Sequence, residues 1–283
     1  MSTCGSCSLM SKEKYKLIII VKHGLMEPWL EILRNGQCKT WLTLEIPVSD
    51  IKIIHYYGIP GGKVLQGLDK FHEKLRSRKH FSTLIHLIDK ILFAPILYWI
   101  PKVVESNLLS TSQLEIQCRV VDTLATLRWK QLAVYRFVKD SYDFDYLYET
   151  NTSSYLIPHK ILDLVDEESD GILYAGSLGY PGANFVSGAN RLVNAKALNL
   201  LIEKRHLWDT ALLEDVAIGE LFSKLGILIQ ELPSLQLANK SEIMNVSEQS
   251  IELNYHFRLK SYEKGRRIDS QLMNLLHERV TTN

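Results

Sequence analysis

The chain has 283 residues, enough for one large or two small domains, and its 46% hydrophobic and 23% charged content is that of a globular protein. A net charge of +1 excludes bulk electrostatic attachment to nucleic acid, so an anionic ligand has to be held by local groups. The 4 cysteines (Cys4, Cys7, Cys38 and Cys118) are too scattered for a disulfide framework, and the Cys4–Cys7 pair lacks the partners that zinc spacing requires.

Residues 1–14 read as a frayed polar terminus. Leu17–Val21 is a β-branched run, the pattern of a buried parallel strand. It is too short for a signal-peptide core, which points to a cytoplasmic location. The strand ends in Lys22-His23-Gly24, a turn able to meet a nucleotide. Pro28 to Gly36 predicts a helix, with Pro near its start and Gly past its end. Thr40–Glu45 and Asp50–Tyr57 predict strands, and Gly58–Gly62 a turn. Val64–Arg78 has helical periodicity. Residues 81–104 are the most apolar stretch, but Asp89, Lys90, Pro95 and Pro101 break any membrane span. Two buried helices are expected there, with a peripheral membrane or partner contact as the alternative.

Glu115–Val121 predicts a strand and Thr123–Lys139 a helix with Asp122 as N-cap. Tyr142–Tyr148 predicts the next strand, which runs into the polar cluster Asn151-Thr152-Ser153-Ser154. Strand, helix, strand is the grammar of a mostly parallel sheet, and ligands of such sheets sit where strands end. Pro158–Val165 reads as a short helix. Between Gly171 and Asn190 the glycines Gly171, Gly176, Gly179, Gly182 and Gly188 suggest loops that close on a ligand. Leu192–Glu203 and Leu212–Leu225 predict helices, the second opening on Glu214-Asp215 and stopping at Gly226. Ile227–Leu232 and Tyr255–Lys260 predict strands, and Ile268–Val280 a closing helix.

Four of these features, in this order, resemble the β-1,3-glycosyltransferase and Fringe-like group of GT-A glycosyltransferases, and more closely a microbial branch of it. They are Asp122–Lys130, Phe144–Thr150, Val186-Ser-Gly-Ala-Asn190, and Glu214-Asp-Val-Ala-Ile-Gly219 ahead of Leu225-Gly226. The last is the most specific, and the match spans most of residues 115–270. The resemblance implies an α/β, GT-A-like fold with a mostly parallel central sheet flanked by helices. It implies one domain over 15–283: a nucleotide-sugar-binding part (15–156, with an apolar helical insertion about 63–105) and an acceptor-binding, catalytic part (157–283). The implied reaction moves a sugar from a nucleotide-sugar donor to a saccharide or glycolipid acceptor, with inversion. The alternative is an inactive sugar- or nucleotide-binding relative of the same fold.

An inverting transfer needs a base for the acceptor proton, and the resemblance gives that position to Asp215, with Glu214 beside it. The small-residue match gives an acceptor side to Ser187, Gly188 and Ala189, with Tyr180 from the same glycine-rich stretch. The leaving diphosphate needs positive charge. The family holds a divalent cation, Mn2+ or Mg2+, with a DxD motif, but Asn151-Thr152-Ser153 stands in its place. Amide and hydroxyl oxygens are weaker ligands for a hard cation than carboxylates. A metal-independent site would use basic residues instead, and His256, Arg258 and Lys260 alternate as one strand face would. The expected donor side is therefore Lys22, His23, Lys130, Asn151, Thr152, Ser153, His256, Arg258 and Lys260. Sequons at Asn151, Asn239 and Asn245 carry little weight without a secretory signal.

Overall fold

The computed structural model describes residues 12–62, 67, 71, 74, 87, 100–108, 110, 112–123, 126–165, 171–209 and 212–282. Its centre is an eight-stranded sheet. The strands are β1 (Glu13–Lys22), β2 (Ile51–Ile59), β3 (Val103–Leu108), β4 (Gln113–Val121), β5 (Tyr142–Asn151), β7 (Tyr174–Leu178), β8 (Val186–Asn194) and β9 (Gln230–Glu231), in the order β3-β4-β2-β1-β5-β8-β7-β9. β4, β2, β1 and β5 run parallel, β8 runs antiparallel to both β5 and β7, and β9 is parallel to β7. The fold is α/β, with the mostly parallel sheet flanked by helices that a GT-A-like chain calls for.

The apolar run of β1 sorts itself by period two. Ile18 and Ile20 face one core, with Trp129, Leu132 and Val138 of the helix α2 (Leu127–Ser141). Leu17, Ile19 and Val21 face the other, with Ile32, Trp41 and Leu272. Both faces of the strand are dry, so it needs no polar alternation. Each such side chain contributes roughly 1.5–3 kcal/mol on burial. The first core also takes Leu198 and Leu201 of α4 (Ala195–Glu203) and Ile218 and Phe222 of α5 (Glu214–Lys224). The second takes α8 (Asp269–Thr282). Four further α-helices whose whole span is described are short: α1 (Trp29–Glu31), α3 (Pro158–Asp163), α6 (Lys240–Asn245) and α7 (Glu248–Leu253).

A second sheet, in the order β10-β11-β6, sits beside the end of β5. It comprises β6 (Ser154–Leu156), β10 (Leu235–Gln236) and β11 (His256–Arg258), with Arg258 opposite Ser154 in register. Asn151-Thr152-Ser153 thus hands the chain from one sheet to the other. β12 (Tyr262–Glu263) and β13 (Arg266–Arg267) form a separate hairpin.

Several expectations need correction. Thr40–Glu45 is not a strand: Trp41–Thr43 is a 3₁₀ turn whose Trp41 fills the second core. The glycine-rich stretch is not all loop, because β7 and β8 lie within it. The helix expected from Leu192 begins only at Ala195, where Asn194 caps it by accepting from Ala197 N. Asp122 does not cap α2; the N-cap is Thr126, and the Asp122 carboxylate pairs with Lys130 at 2.5 Å. Gly58 and Ile59 belong to β2 rather than to a turn. Most of the insertion expected about 63–105, with Cys4 and Cys7, lies outside the described residues, and Val103 begins β3. No helix among the described residues is long and apolar enough to cross a membrane.

α5 stops at Gly226, whose φ of 72° suits a residue without Cβ. Its Gly219 serves a different need. A Cβ there would lie 2.3 Å from Phe185 Cβ and 2.7 Å from the Asn184 carbonyl oxygen, and backbone cannot swing aside. Gly219→Ala is expected to cost about 1–3 kcal/mol, read as a lower urea midpoint at unchanged slope.

Candidate functional site

The sheet order reverses between β1 and β5: from β1 the chain builds outward through β2 and β4, and β5 begins the other side. The crevice at the carboxyl ends of two such strands is where open α/β sheets bind ligands. Lys22 and Asn151 are register partners at that point.

Lys22 Nζ lies 2.7 Å from Glu214 Oε1 and 3.3 Å from Glu149 Oε1. Burial alone would lower its pKa, but the two carboxylates raise it, so the ammonium stays charged. Gly188 of β8 presses on this pair: a Cβ there would stand 3.0 Å from Glu214 Oε1, 3.5 Å from Lys22 Nζ and 3.8 Å from Asp215 Cβ. Lys22, Gly188, Glu214 and Asp215 therefore form one cluster, drawn from β1, β8 and the first turn of α5. Asp215 is half-buried, and its Oδ1 accepts from Val216 N at 2.9 Å. Burial and then neighbouring Glu214 push its carboxyl above the usual range, against the pull of Arg191 and Lys22. Ser187 Oγ accepts from Ala189 N, and the Ala189 carbonyl accepts from Thr150 Oγ1, so both shape β8 from within. Tyr180 is exposed and meets Phe185 edge-on at 5.6 Å; no contact brings it to Asp215.

Across the crevice, Asn151 Oδ1 accepts from Ser153 N at 3.1 Å and from an Arg258 guanidinium N–H. Its carbonyl accepts from Gln37 Nε2 at 3.0 Å. Thr152 is buried. Ser153 Oγ accepts from Arg267 Nη2 at 2.6 Å. Arg267 also pairs with Asp269 through Nε at 2.8 Å and through Nη2, and lies 4.8 Å from the Trp29 ring centroid.

The expected cationic face of β11 is only partly present. His256 is buried between Ser154 Oγ at 3.0 Å and Ser234 Oγ at 2.6 Å; burial, then Arg258, bring its pKa down to about 3, so it is neutral. Lys260 lies past the strand and is exposed. His23 is likewise neutral, since burial and Lys130 pull it down to about 4. Lys130 is buried and committed to Asp122 and the His23 carbonyl. Of the expected cations, burial silences the two histidines and carboxylates occupy Lys22 and Lys130.

A divalent cation at the Asn151–Ser153 position would find neutral oxygens that already accept from two guanidinium groups. Hard dications take carboxylates, and like charge repels them. These residues do not fit a hard divalent cation. Among the described residues, no group of three or more His, Cys, Asp or Glu could hold one.

Sequence reasoning missed the ionic core beneath the crevice. Glu149 of β5 is fully buried and accepts from Arg191 Nη2 at 2.5 Å, Tyr135 OH at 2.8 Å, Gln131 Nε2 and Tyr56 OH. Gln37 and Arg267 were missed too. Arg267 had a readable signal: Lys264-Gly265, both at positive φ, is the two-residue turn of a hairpin that carries Arg266-Arg267 on its return strand.

No protein-family model matches the chain, and no curated protein matches it. Among solved structures it is similar to a glycosyltransferase involved in the glycosylation of the major capsid of PBCV-1, at 9% identity and a TM-score of 0.47, over 92% of this chain and 99% of that one. It is also similar to mouse xyloside xylosyltransferase 1, at 10% identity and a TM-score of 0.40, over 87% of this chain and 97% of that one. A third similarity is to the glycosyltransferase GlyE of Streptococcus pneumoniae TIGR4, at 11% identity and a TM-score of 0.43, over 95% of this chain and 64% of that one.

Proposed function

We propose that the chain is an inverting glycosyltransferase that moves a sugar from a nucleotide-sugar donor to a hydroxyl of a saccharide or glycoconjugate acceptor, with Asp215 as base. The observation that carries the reading is the meeting of Lys22, Gly188, Glu214 and Asp215 at the reversal point of the sheet. Two adjacent carboxylates there have different fates. Glu214 is paired with Lys22, while Asp215 accepts from its own helix and carries a raised pKa. A carboxyl raised toward neutrality is a better base than an ordinary one. In the reaction, the acceptor oxygen bonds to the anomeric carbon as its proton passes to Asp215. The bond from that carbon to the phosphate oxygen breaks, and the nucleoside diphosphate leaves with the electron pair.

The test is a donor screen. Purified protein is incubated with a panel of nucleotide sugars and oligosaccharide acceptors, reading diphosphate release and the product anomer by NMR. Release with an inverted anomer is expected. A retained anomer would remove Asp215 as the single base. Saturable donor binding without release in any pairing would instead favour a binding protein of the same fold.

A further inference from the structure

We infer that the crevice holds a diphosphate by guanidinium rather than by a metal, and that Arg258 is the group that binds it. The identity of the anion rests on the proposed transferase reading; the charge argument does not. Arg267 is matched by Asp269, Lys22 by Glu149 and Glu214, and Lys130 by Asp122. His23 and His256 are neutral. Arg258 is different: its guanidinium is aimed at the amide oxygen of Asn151, and among the described residues no carboxylate is within ion-pair distance of it.

A largely buried cation with no carboxylate at ion-pair distance is costly, and an anion is what relieves it. Burial and Arg267 draw the guanidinium pKa down, Asp269 opposes them, and the result of about 10 leaves it charged at neutral pH. Residue 151 is the pivot. A carboxylate there would pair with Arg258 and neutralise it. The amide keeps the same hydrogen bond but leaves the positive charge unspent, which turns the same corner of the fold toward anions. The planar fork of a guanidinium suits phosphate oxygens, two of which it can meet at once. Arg267 adds no free charge; it holds Ser153 in place against Trp29 and Asp269.

The test reads binding to the full chain by titration calorimetry, with UDP, GDP and inorganic pyrophosphate as probes, in EDTA and in manganese. At least one diphosphate should bind in EDTA within about two-fold of its affinity in manganese. Arg258→Gln should weaken that binding about ten-fold or more, Arg258→Lys should recover part of it, and Asn151→Asp should weaken it by pairing the guanidinium. The ligand-free melting temperature of Arg258→Gln should not fall, because an unpaired charge has been removed. Binding that requires manganese, equal binding by Arg258→Gln, or no binding of any diphosphate would overturn the inference. The two readings fail separately. Metal-free diphosphate binding without sugar transfer sinks only the transferase, and transfer that depends on manganese sinks only the guanidinium site.

Discussion

Asp215→Asn is expected to slow sugar transfer by about 10²–10⁴-fold, the range a positioned general base contributes, while the fold stays intact. The side chain is half-buried and its Oδ1 accepts from Val216 N, a bond the amide oxygen of Asn reproduces. The variant should be at least as stable as the wild type at neutral pH. The folded pKa of Asp215 is raised, so the folded state binds the proton more tightly than the unfolded one. The stability this gives is present at low pH and is lost as pH rises through the raised value; Asn removes that penalty. Activity follows the ionised form, so it should fall as pH drops through the same value, with an acid limb above the ordinary aspartate range. Glu214→Gln removes a repelling carboxylate and releases Lys22, and both changes move the limb to lower pH. Lys22→Met removes an attracting cation and moves it higher. Profiles of kcat/KM against pH for the four proteins check all of this, and a limb that ignores both substitutions would show that Asp215 is not the group titrating.

Much of this arrangement was legible in the sequence because it depends on local pattern. β1 announces itself through five apolar residues in a row, and β4, α2 and β5 follow through ordinary periodicity. The start of α5 is readable from Glu214-Asp215 and its end from Gly226. What escaped depends on partners distant in the chain. Val186–Asn194 is built from small and polar residues and resembles a loop, yet it lies between β5 and β7 and is largely buried. Its Gly188 is small because Glu214 and Lys22 need the space, a reason visible only in three dimensions. Asp122 looks like a helix cap because the residue type and position are right, but the carboxylate went to Lys130 two turns on. The alternation of His256, Arg258 and Lys260 was read as strand, which holds for His256 and Arg258 but stops before Lys260, and wrongly as one charged face. Spacing fixes direction, whereas charge depends on burial, which spacing does not report.

Glu149 illustrates the same limit and carries the largest expected effect on stability. In the sequence it is one acid between Tyr148 and Thr150; in the fold it is fully buried and binds partners from β1, β2, α2 and β8. Burial raises its pKa, but Arg191 and Lys22 lower it further, and the net result is a carboxyl held below its usual range. Glu149→Gln should cost about 3–5 kcal/mol, because it strands the buried Arg191 guanidinium without its counter-ion. That is a large part of the 5–15 kcal/mol typical of a folded domain. The stabilisation is present above the usual carboxylate range and lost as pH falls through the lowered folded value, so the wild type should lose stability on acidification while the Gln variant shows a flatter acid limb. Arg191→Met should also be costly for the opposite reason, a buried carboxylate left with Lys22, at 3.3 Å and shared with Glu214, as its cation. The double variant should be less destabilised than the two single costs added together, since neither charge is then left alone, and a double-mutant cycle in urea would measure that coupling. Simple additivity would mean that Lys22, Tyr135 and Gln131 suffice to hold Glu149, and that Arg191 is a neighbour rather than its partner.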